Sequence, residues 1–186
     1  MSVIITTLST DDEIEQLLKL QHKNLARNNS PQTIESQGFV TVEHTFDLLK
    51  QMNQAEPQIV ARDGEKIVGY ALVMLKEFRQ SIPVLEPMFA MLSEIYLSNK
   101  VLSDYHYYVM GQICIDEQYR GQGLFDQLYL GQKEQLKDRY ELCITEVATR
   151  NQRSMNAHRR VGFESIHEYT APNGETWSVV VWDIRK

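Results

Sequence analysis

Cysteine is scarce in this chain, with only Cys114 and Cys143 among 186 residues. Two cysteines cannot build a disulfide framework. Both sit in apolar runs, QICI and LCIT, where a reduced thiol behaves as a small hydrophobe. Glycine and proline are sparse too, at 9 and 5 residues, against 42% hydrophobic and 24% charged residues. That balance excludes collagen-like, low-complexity and disordered classes. Metal-ligand spacing is missing: there is no CxxC or HExxH and the five histidines are scattered, so no metal is expected. The longest apolar stretch, around Ile67 to Leu75, is far too short to cross a bilayer, so no membrane partner is expected. The opening MSVIITTLSTDDEIEQ sets a short apolar run before acids, unlike a secretory signal, which makes a cytoplasmic location the default. Basic residues are the minority, 19 against 25 acidic, for a net charge of -6. Such a chain is a poor general binder of nucleic acid and suits a cationic or neutral partner. What remains is one globular domain over 1–186, long enough to bury a core without a disulfide or metal.

The order of patterns defines the fold class. Val3 to Thr7 reads as a strand. Ser9-Thr10-Asp11-Asp12 before Ile14, Leu17, Leu18 and Leu20 reads as a capped amphipathic helix. Further helices are expected over Val42 to Met52 and Met88 to Leu97. Strands over Gln58 to Arg62 and Lys66 to Leu75 meet around Asp63-Gly64, a hairpin signal. Then come strand 106–115, helix 121–139, strand 142–148, helix 151–161, strand 163–169 and strand 176–183. The alternation implies an α/β or α+β fold whose mixed sheet has two parallel neighbours joined by crossover helices. The C-terminal strand, Thr176 to Ile184, reads as exposed and able to pair with a second copy, which makes a homodimer possible.

Charge is unevenly spread. Residues 1–60 carry 4 basic and 8 acidic side chains, while Arg150, Arg153, Arg159 and Arg160 fall between Val147 and Phe163 with no acid among them. That basic run is either a solvated helix face or an anion site.

Two motifs bear on the choice. After strand YYVMGQICI, Arg120-Gly121-Gln122-Gly123 opens a helix. The first N–H groups of a helix lack internal acceptors, and with the dipole they suit a phosphate that glycine lets approach closely. A dinucleotide fingerprint is excluded because Asp126 stands where its third glycine belongs, and no Gly-Lys-Ser/Thr supplies a Walker loop. Alone, the loop is a weak signal and reads better as a plain turn. The second motif runs from Asn151 to Gly162-Phe163, where Asn151, Ser154 and His158 share one helical face. Amide, hydroxyl and imidazole do not make a packing stripe, although Asn151 can serve as a cap and His158 as a satisfied surface histidine. Gly162 is a natural helix stop.

In this combination the chain resembles the GNAT superfamily of acetyl-CoA-dependent N-acetyltransferases. Arg120-Gly121-Gln122-Gly123-Leu124-Phe125 is similar to that family's Q/R-x-x-G-x-G/A pyrophosphate loop, and Asn151 to Phe163 is similar to its N-x6-Y-x3-G-F motif. The two motifs span roughly Tyr107 to His167. The resemblance implies a mixed, mostly antiparallel sheet with a splayed parallel strand pair and flanking helices. It places a substrate-side lobe over 1–105 and an acetyl-CoA-binding core over 106–186. Phe125 departs from the usual Gly or Ala, so its ring must turn into helix packing. His158 replaces a common Tyr, and Gln112 lies near the strand position that often holds a Glu.

The implied chemistry is acetyl transfer from acetyl-CoA to an amine of a small molecule or peptide, for which positioning supplies most of the acceleration. Backbone groups of Ile113, Cys114 and Ile115 would hold the thioester and the developing oxyanion. Arg120, Gly121, Gln122, Gly123, Leu124 and Phe125 would hold the pyrophosphate, with Asn151 and Ser154 on the pantetheine. His158 could protonate the departing thiolate. Glu146, a carboxylate within an apolar strand, is the first candidate for the base; a salt bridge to Arg150 or Arg153 explains it equally well. Asp104 and His106 are weaker candidates. The acid surplus of residues 1–60 favours a cationic acceptor. A non-catalytic acyl-CoA-binding domain of the same fold, and an unrelated phosphate-binding module, remain open as alternatives.

Overall fold

Thr10 and Glu13 start the first helix reciprocally. The Glu13 amide donates to the Thr10 hydroxyl at 3.2 Å, and the Thr10 amide donates to the Glu13 carboxylate at 3.1 Å. Two donors that a helix start leaves without acceptors are thereby satisfied. This helix, α1 (Asp11–Asn24), buries Ile14, Leu17 and Leu20 along one face. It follows strand β1 (Val3–Thr7). The structure is a computed structural model and describes residues 3–30, 39–82 and 86–186.

The later elements are α2 (Phe46–Ala55), β2 (Ile59–Asp63), β3 (Lys66–Met74), α3 (Glu86–Leu92), β4 (Tyr96–Leu97), β5 (Lys100–Val101), β6 (Tyr107–Ile115), α4 (Leu124–Leu136), β7 (Leu142–Ala148), α5 (Gln152–Val161), β8 (Glu164–Thr170) and β9 (Thr176–Asp183). The main sheet has the order β1–β2–β3–β6–β7–β9–β8, and β4–β5 form a separate hairpin. The pairs β1–β2, β2–β3, β7–β9 and β8–β9 are antiparallel, while β6–β7 is parallel. The expected mixed sheet with flanking helices is therefore present. Contacts divide the chain into two compact units, Met1–Met74 with Met110–Glu134, and Leu75–Val109 with Gln135–Lys186.

In the first unit, β2 and β3 close on a two-residue turn in which Gly64 takes φ +61, as a primed hairpin turn requires. Every residue of β3 after Lys66 is buried. Helix α4 lies so close to β1 and β2 that a Cβ at Gly131 would stand 2.7 Å from Ile5 Cγ2 and 3.2 Å from Ile59 Cγ2. In the second unit, β7 pairs with β9 along its whole length, from Leu142–Asp183 to Ala148–Trp177. Helix α5 ends at Gly162 in the left-handed region, φ 120, where an added Cβ would also meet Trp182 Nε1 at 3.0 Å.

Three expectations need correction. The helix expected over 88–97 is α3, which ends at Leu92; β-branched Ile95 leads instead into the β4–β5 hairpin, whose tip holds Ser98 at φ 52. The helix expected from 121 starts at Leu124, because Gly121 and Gly123 have φ +75 and +77 and cannot be helical. The C-terminal strand is not an edge: β9 lies between β7 and β8, and the exposed edge at that end is β8.

Gly131→Ala tests the seating of α4. Alanine favours an exposed helix by about 1 kcal/mol, yet here its methyl meets the stiff branch of Ile5. The expected outcome is a net destabilisation of about 1–3 kcal/mol in urea unfolding; unchanged or raised stability would show that the contact is not close.

Candidate active site

Strand β6 carries two different functional edges. Asp116 donates its amide to the Val68 carbonyl at 2.9 Å, which turns the even-numbered residues at this end of the strand toward β3. The parallel ladder with β7 joins Tyr107 to Leu142 and Val109 to Ile144. By strand alternation Gly111, Ile113 and Ile115 direct their N–H and C=O groups away from β3. Cys114 turns its own toward β3. The Ile115 carbonyl accepts from Arg120 Nε at 3.0 Å.

Past Ile115, Asp116 caps the turn Glu117–Tyr119 by accepting from the Gln118 amide. Tyr119 donates its hydroxyl to Asp63 at 2.8 Å. Arg120 also donates to Asn24 Oδ1 at 2.7 Å, which ties the glycine loop to the end of α1. Gly121 and Gly123 need their positive φ values for the chain path; a Cβ at Gly121 would meet nothing within 4 Å, so the loop surface is open. Gln127 donates to the Gly123 carbonyl, placing Gly123 at the cap of α4 with no side-chain oxygen of its own. The Phe125 ring packs 5.1 Å from Tyr129. Lys23 and Lys66 lie 3.9 and 3.8 Å from Asp116 and add positive charge at the base of the loop.

The opposite face of β6 holds a buried polar chain. Gln112 donates to the Val42 carbonyl at 2.8 Å, and its oxygen accepts from Tyr70 Oη at 2.6 Å and from Gln21 Nε2 at 2.8 Å. Gln21 Oε1 accepts the His44 amide, and Gln21 Nε2 reaches His44 Nδ1, both at 2.8 Å. A carbonyl at one end and an N–H at the other fix every amide orientation between them. His44 Nδ1 is therefore an acceptor, and the neutral ring carries its proton on Nε2. Burial pushes the His44 pKa down to about 4, the Tyr70 hydroxyl well up, and the Cys114 thiol up to about 12. Gln112 is thus a structural hub, a role its residue type alone did not reveal.

In the second unit Asn151 caps α5 by accepting from the Ser154 amide at 3.1 Å. His158 is buried and its Nδ1 sits 2.8 Å from the Ser154 carbonyl, so Nδ1 carries the proton. Its ring packs edge-on against Phe163, and burial pushes its pKa down to about 4. Asn151 and Ser154 remain half-exposed. The arginine run is partly committed: Arg150 Nε donates to both Glu175 oxygens, at 3.0 and 2.8 Å, and Arg159 donates to Asn156.

Glu146 lies on β7 with its Oε2 2.6 Å from the Tyr169 hydroxyl of β8. Burial raises its pKa, and the Tyr169 hydrogen bond pulls part of that shift back. No arginine bridges it. Sequence inspection missed Tyr169, Gln21, His44 and Tyr70; only strand register and the packing of α1 bring them to their partners. The weaker candidates lie elsewhere: Asp104 closes the turn Leu102–Asp104, and the His106 amide donates to Glu141. Of the acids in residues 1–60, Glu35 lies outside the described residues. Among the described residues, no group of three His, Cys, Asp or Glu is placed to hold a metal ion, and no helix is long and apolar enough to cross a membrane.

Comparison with known proteins places these motifs. Residues 23–163 match the Acetyltransferase (GNAT) family. No curated protein matches the sequence. Among solved structures, the ribosomal-protein-S18-alanine N-acetyltransferase from Escherichia coli is similar with a TM-score of 0.63 and 15% identity, over 100% of this chain and 96% of that one. The structure of yncA from Salmonella typhimurium with its cofactor acetyl-CoA gives a TM-score of 0.63 and 10% identity, over 99% and 95%. The NatC complex bound to Gag peptide and CoA gives 0.66 and 11%, over 98% and 99%. At these identities the likeness is one of fold.

The two neutral histidines generate a pH prediction. With folded pKa values of about 4 against the ordinary 6.5, the unfolded chain takes up protons first as pH falls. Stability is full above pH 6.5 and is lost toward pH 4, by roughly 3 kcal/mol per ring. Urea midpoints between pH 7 and 4.5 should fall less steeply for His158→Phe than for the parent chain. Parallel slopes would mean that His158 is not held neutral.

Proposed function

The chain belongs to the GNAT acetyltransferase family, and on that premise we propose that it is an N-acetyltransferase. In this reading it moves an acetyl group from acetyl-CoA to the primary amine of a small molecule or peptide by direct attack in a ternary complex. The observation that carries the proposal is Glu146, a largely buried carboxyl bonded to the Tyr169 hydroxyl and, among the described residues, to no cation. A carboxyl with a raised pKa is suited to take a proton from an ammonium group.

The glycine loop fits the donor. Its open surface, its two left-handed glycines and the start of α4 suit a diphosphate. Gly121, Gln122, Gly123, Leu124 and Phe125 would hold it through backbone amides. Arg120, braced on Ile115 and Asn24, would fix the loop and add charge. Asn151 and Ser154 are assigned to the pantetheine. Acetyl-CoA supplies an acetyl group already activated as a thioester. Ile113 and Ile115 would offer the N–H groups that face away from β3 to the oxygen that gains charge, with Cys114 on the β3 side of that stretch. Glu146 accepts the ammonium proton, which frees the nitrogen lone pair to form the new N–C bond. His158, whose Nδ1 proton is donated to the Ser154 carbonyl, has none to give at neutral pH and seats α5; as the C–S bond breaks, a water relays the second proton of the acylated nitrogen to the departing thiolate.

The acceptor is proposed to be cationic, consistent with the surplus of acids in residues 1–60. One similar structure is a ribosomal-protein-S18-alanine N-acetyltransferase and another is bound to Gag peptide and CoA, which supports a peptide amine among the acceptors. A cytoplasmic location and the single-domain arrangement, with 1–105 on the acceptor side and 106–186 on the donor side, belong to the same proposal. A non-catalytic acyl-CoA-binding domain is the second reading, favoured by Gln112, an amide held in three structural bonds where a base is often found.

The two readings part in one assay. Acetyl-CoA should raise the melting temperature, and an amine panel should release CoA thiol. Glu146→Gln should lower turnover by about 10²–10⁴-fold and leave acetyl-CoA affinity nearly unchanged; equal turnover eliminates the base. Gly123→Ala, which strains a left-handed position by about 1–2 kcal/mol, should weaken acetyl-CoA binding by about tenfold. Stabilisation without thiol release would favour the binding domain, and no stabilisation would sink both readings.

A further inference from the structure

Strand register explains how Glu146 meets its partner. On β7, β9 and β8, Glu146 pairs with Val179 and Val179 with His167, while Ala148 pairs with Trp177 and Trp177 with Tyr169. Paired residues and those two apart share a face, so Glu146 and Tyr169 lie on one face with β9 between them. Two strand spacings are about 10 Å. A serine or threonine on β8 could not span that distance, but tyrosine and glutamate reaching toward each other can, and they close to 2.6 Å. The β8 strand carries an irregularity between Ser165 and His167, after which its alternation points Tyr169 to this face and Glu168 to the other.

The other titratable groups on this face are Tyr107 on β6, with Lys76 stacked 4.1 Å over its ring, Asp183 on β9, held by Arg185, and Glu164 and His167 on β8. None of them bonds Glu146. Helix α5 belongs to the opposite face, where His158 and Phe163 pack toward Trp182, the pairing partner of Cys143. Among the described residues, Tyr169 is therefore the one polar side chain hydrogen-bonded to this carboxyl. A carboxylate can only accept, so the phenol must donate, and that bond favours the ionised form.

We propose that Tyr169 is a positioning residue for the proton acceptor: its hydroxyl holds Glu146 Oε2 through a 2.6 Å hydrogen bond and leaves Oε1 for the substrate ammonium. The proposal rests on the reading of Glu146 as the base. Burial favours the protonated carboxyl, which cannot take up a further proton, whereas an arginine partner would favour the ionised form and make it a weaker base. A neutral donor lies between these extremes. Because β8 is an edge strand and Tyr169 is only half-buried, the hydroxyl can be removed without opening the core.

The test titrates the carboxyl directly. Protein labelled with ¹³C at the glutamate side-chain carboxyl is followed by NMR against pH, and the Glu146 signal is assigned by its loss in Glu146→Gln. In Tyr169→Phe the Glu146 midpoint should rise by about one pH unit. The acid limb of kcat/KM should rise with it, while activity on the alkaline plateau and the melting temperature stay near the parent values. Glu168→Gln, on the other face of β8, should leave the midpoint in place. An unmoved midpoint in folded Tyr169→Phe, or a loss of activity by the same factor at every pH, would overturn the proposal. If instead Glu146→Gln keeps full turnover, the base assignment fails, and the NMR titration still decides whether Tyr169 governs the carboxyl.

Discussion

The bonds that close the end of β6 are what the glycine loop depends on. Backbone amides and carbonyls inside a sheet demand partners, and where β6 ends two such groups find them at once: the Asp116 amide donates to the Val68 carbonyl of β3, and the Ile115 carbonyl accepts from Arg120 Nε. Arg120 also donates to Asn24, so the strand end, the start of the glycine loop and the end of α1 are bonded as one piece. β7 meets the same demand through β9, with which it pairs from end to end. An anion loop of fixed path thus comes from the way one strand is finished.

Two polar side chains have opposite characters. Gln112 sits in a chain whose ends are backbone groups, which fixes the orientation of both amides, and the chain carries no charge. Such a network specifies one packing of α1 and the segment around Val42 and His44 against the sheet. Glu146 sits in a dyad with one oxygen bonded and a proton affinity set by burial against a single hydroxyl. The amide supplies rigidity and the acid supplies chemistry. A strand position read as a missing base is instead occupied for structural reasons, and the titratable group lies on a neighbouring strand.

Local signals in the sequence were sound where a short stretch determines the outcome. Thr10 and Glu13, Asp63-Gly64 and the Asn151-to-Gly162 helix all act within a few residues, and the structure places them as their chemistry dictates. The 88–97 segment went astray because Met88 to Leu92 is helical in pattern and the turn at Ser98 follows too soon to be separated from it. The exposed reading of the C-terminal strand failed for another reason: edge or interior is decided by where β8 returns, which no local pattern records. The Tyr169–Glu146 contact likewise depends on a register irregularity at Ser165–His167. The Arg150–Glu175 pair shows the same limit, since an acid-free run in sequence met its acid from a turn beyond the next strand.

Cys114 and Cys143 are both buried, and the Cys114 thiol is held far from ionisation. The folded chain is consequently silent toward thiol-selective reagents, and a single cysteine placed on its surface, for example at Tyr96, would be a unique attachment point for a dye or spin label. Native thiols that become reactive would then report the opening of the core itself. Two residues that carry no chemistry of their own make the protein a background-free scaffold for watching its own motions.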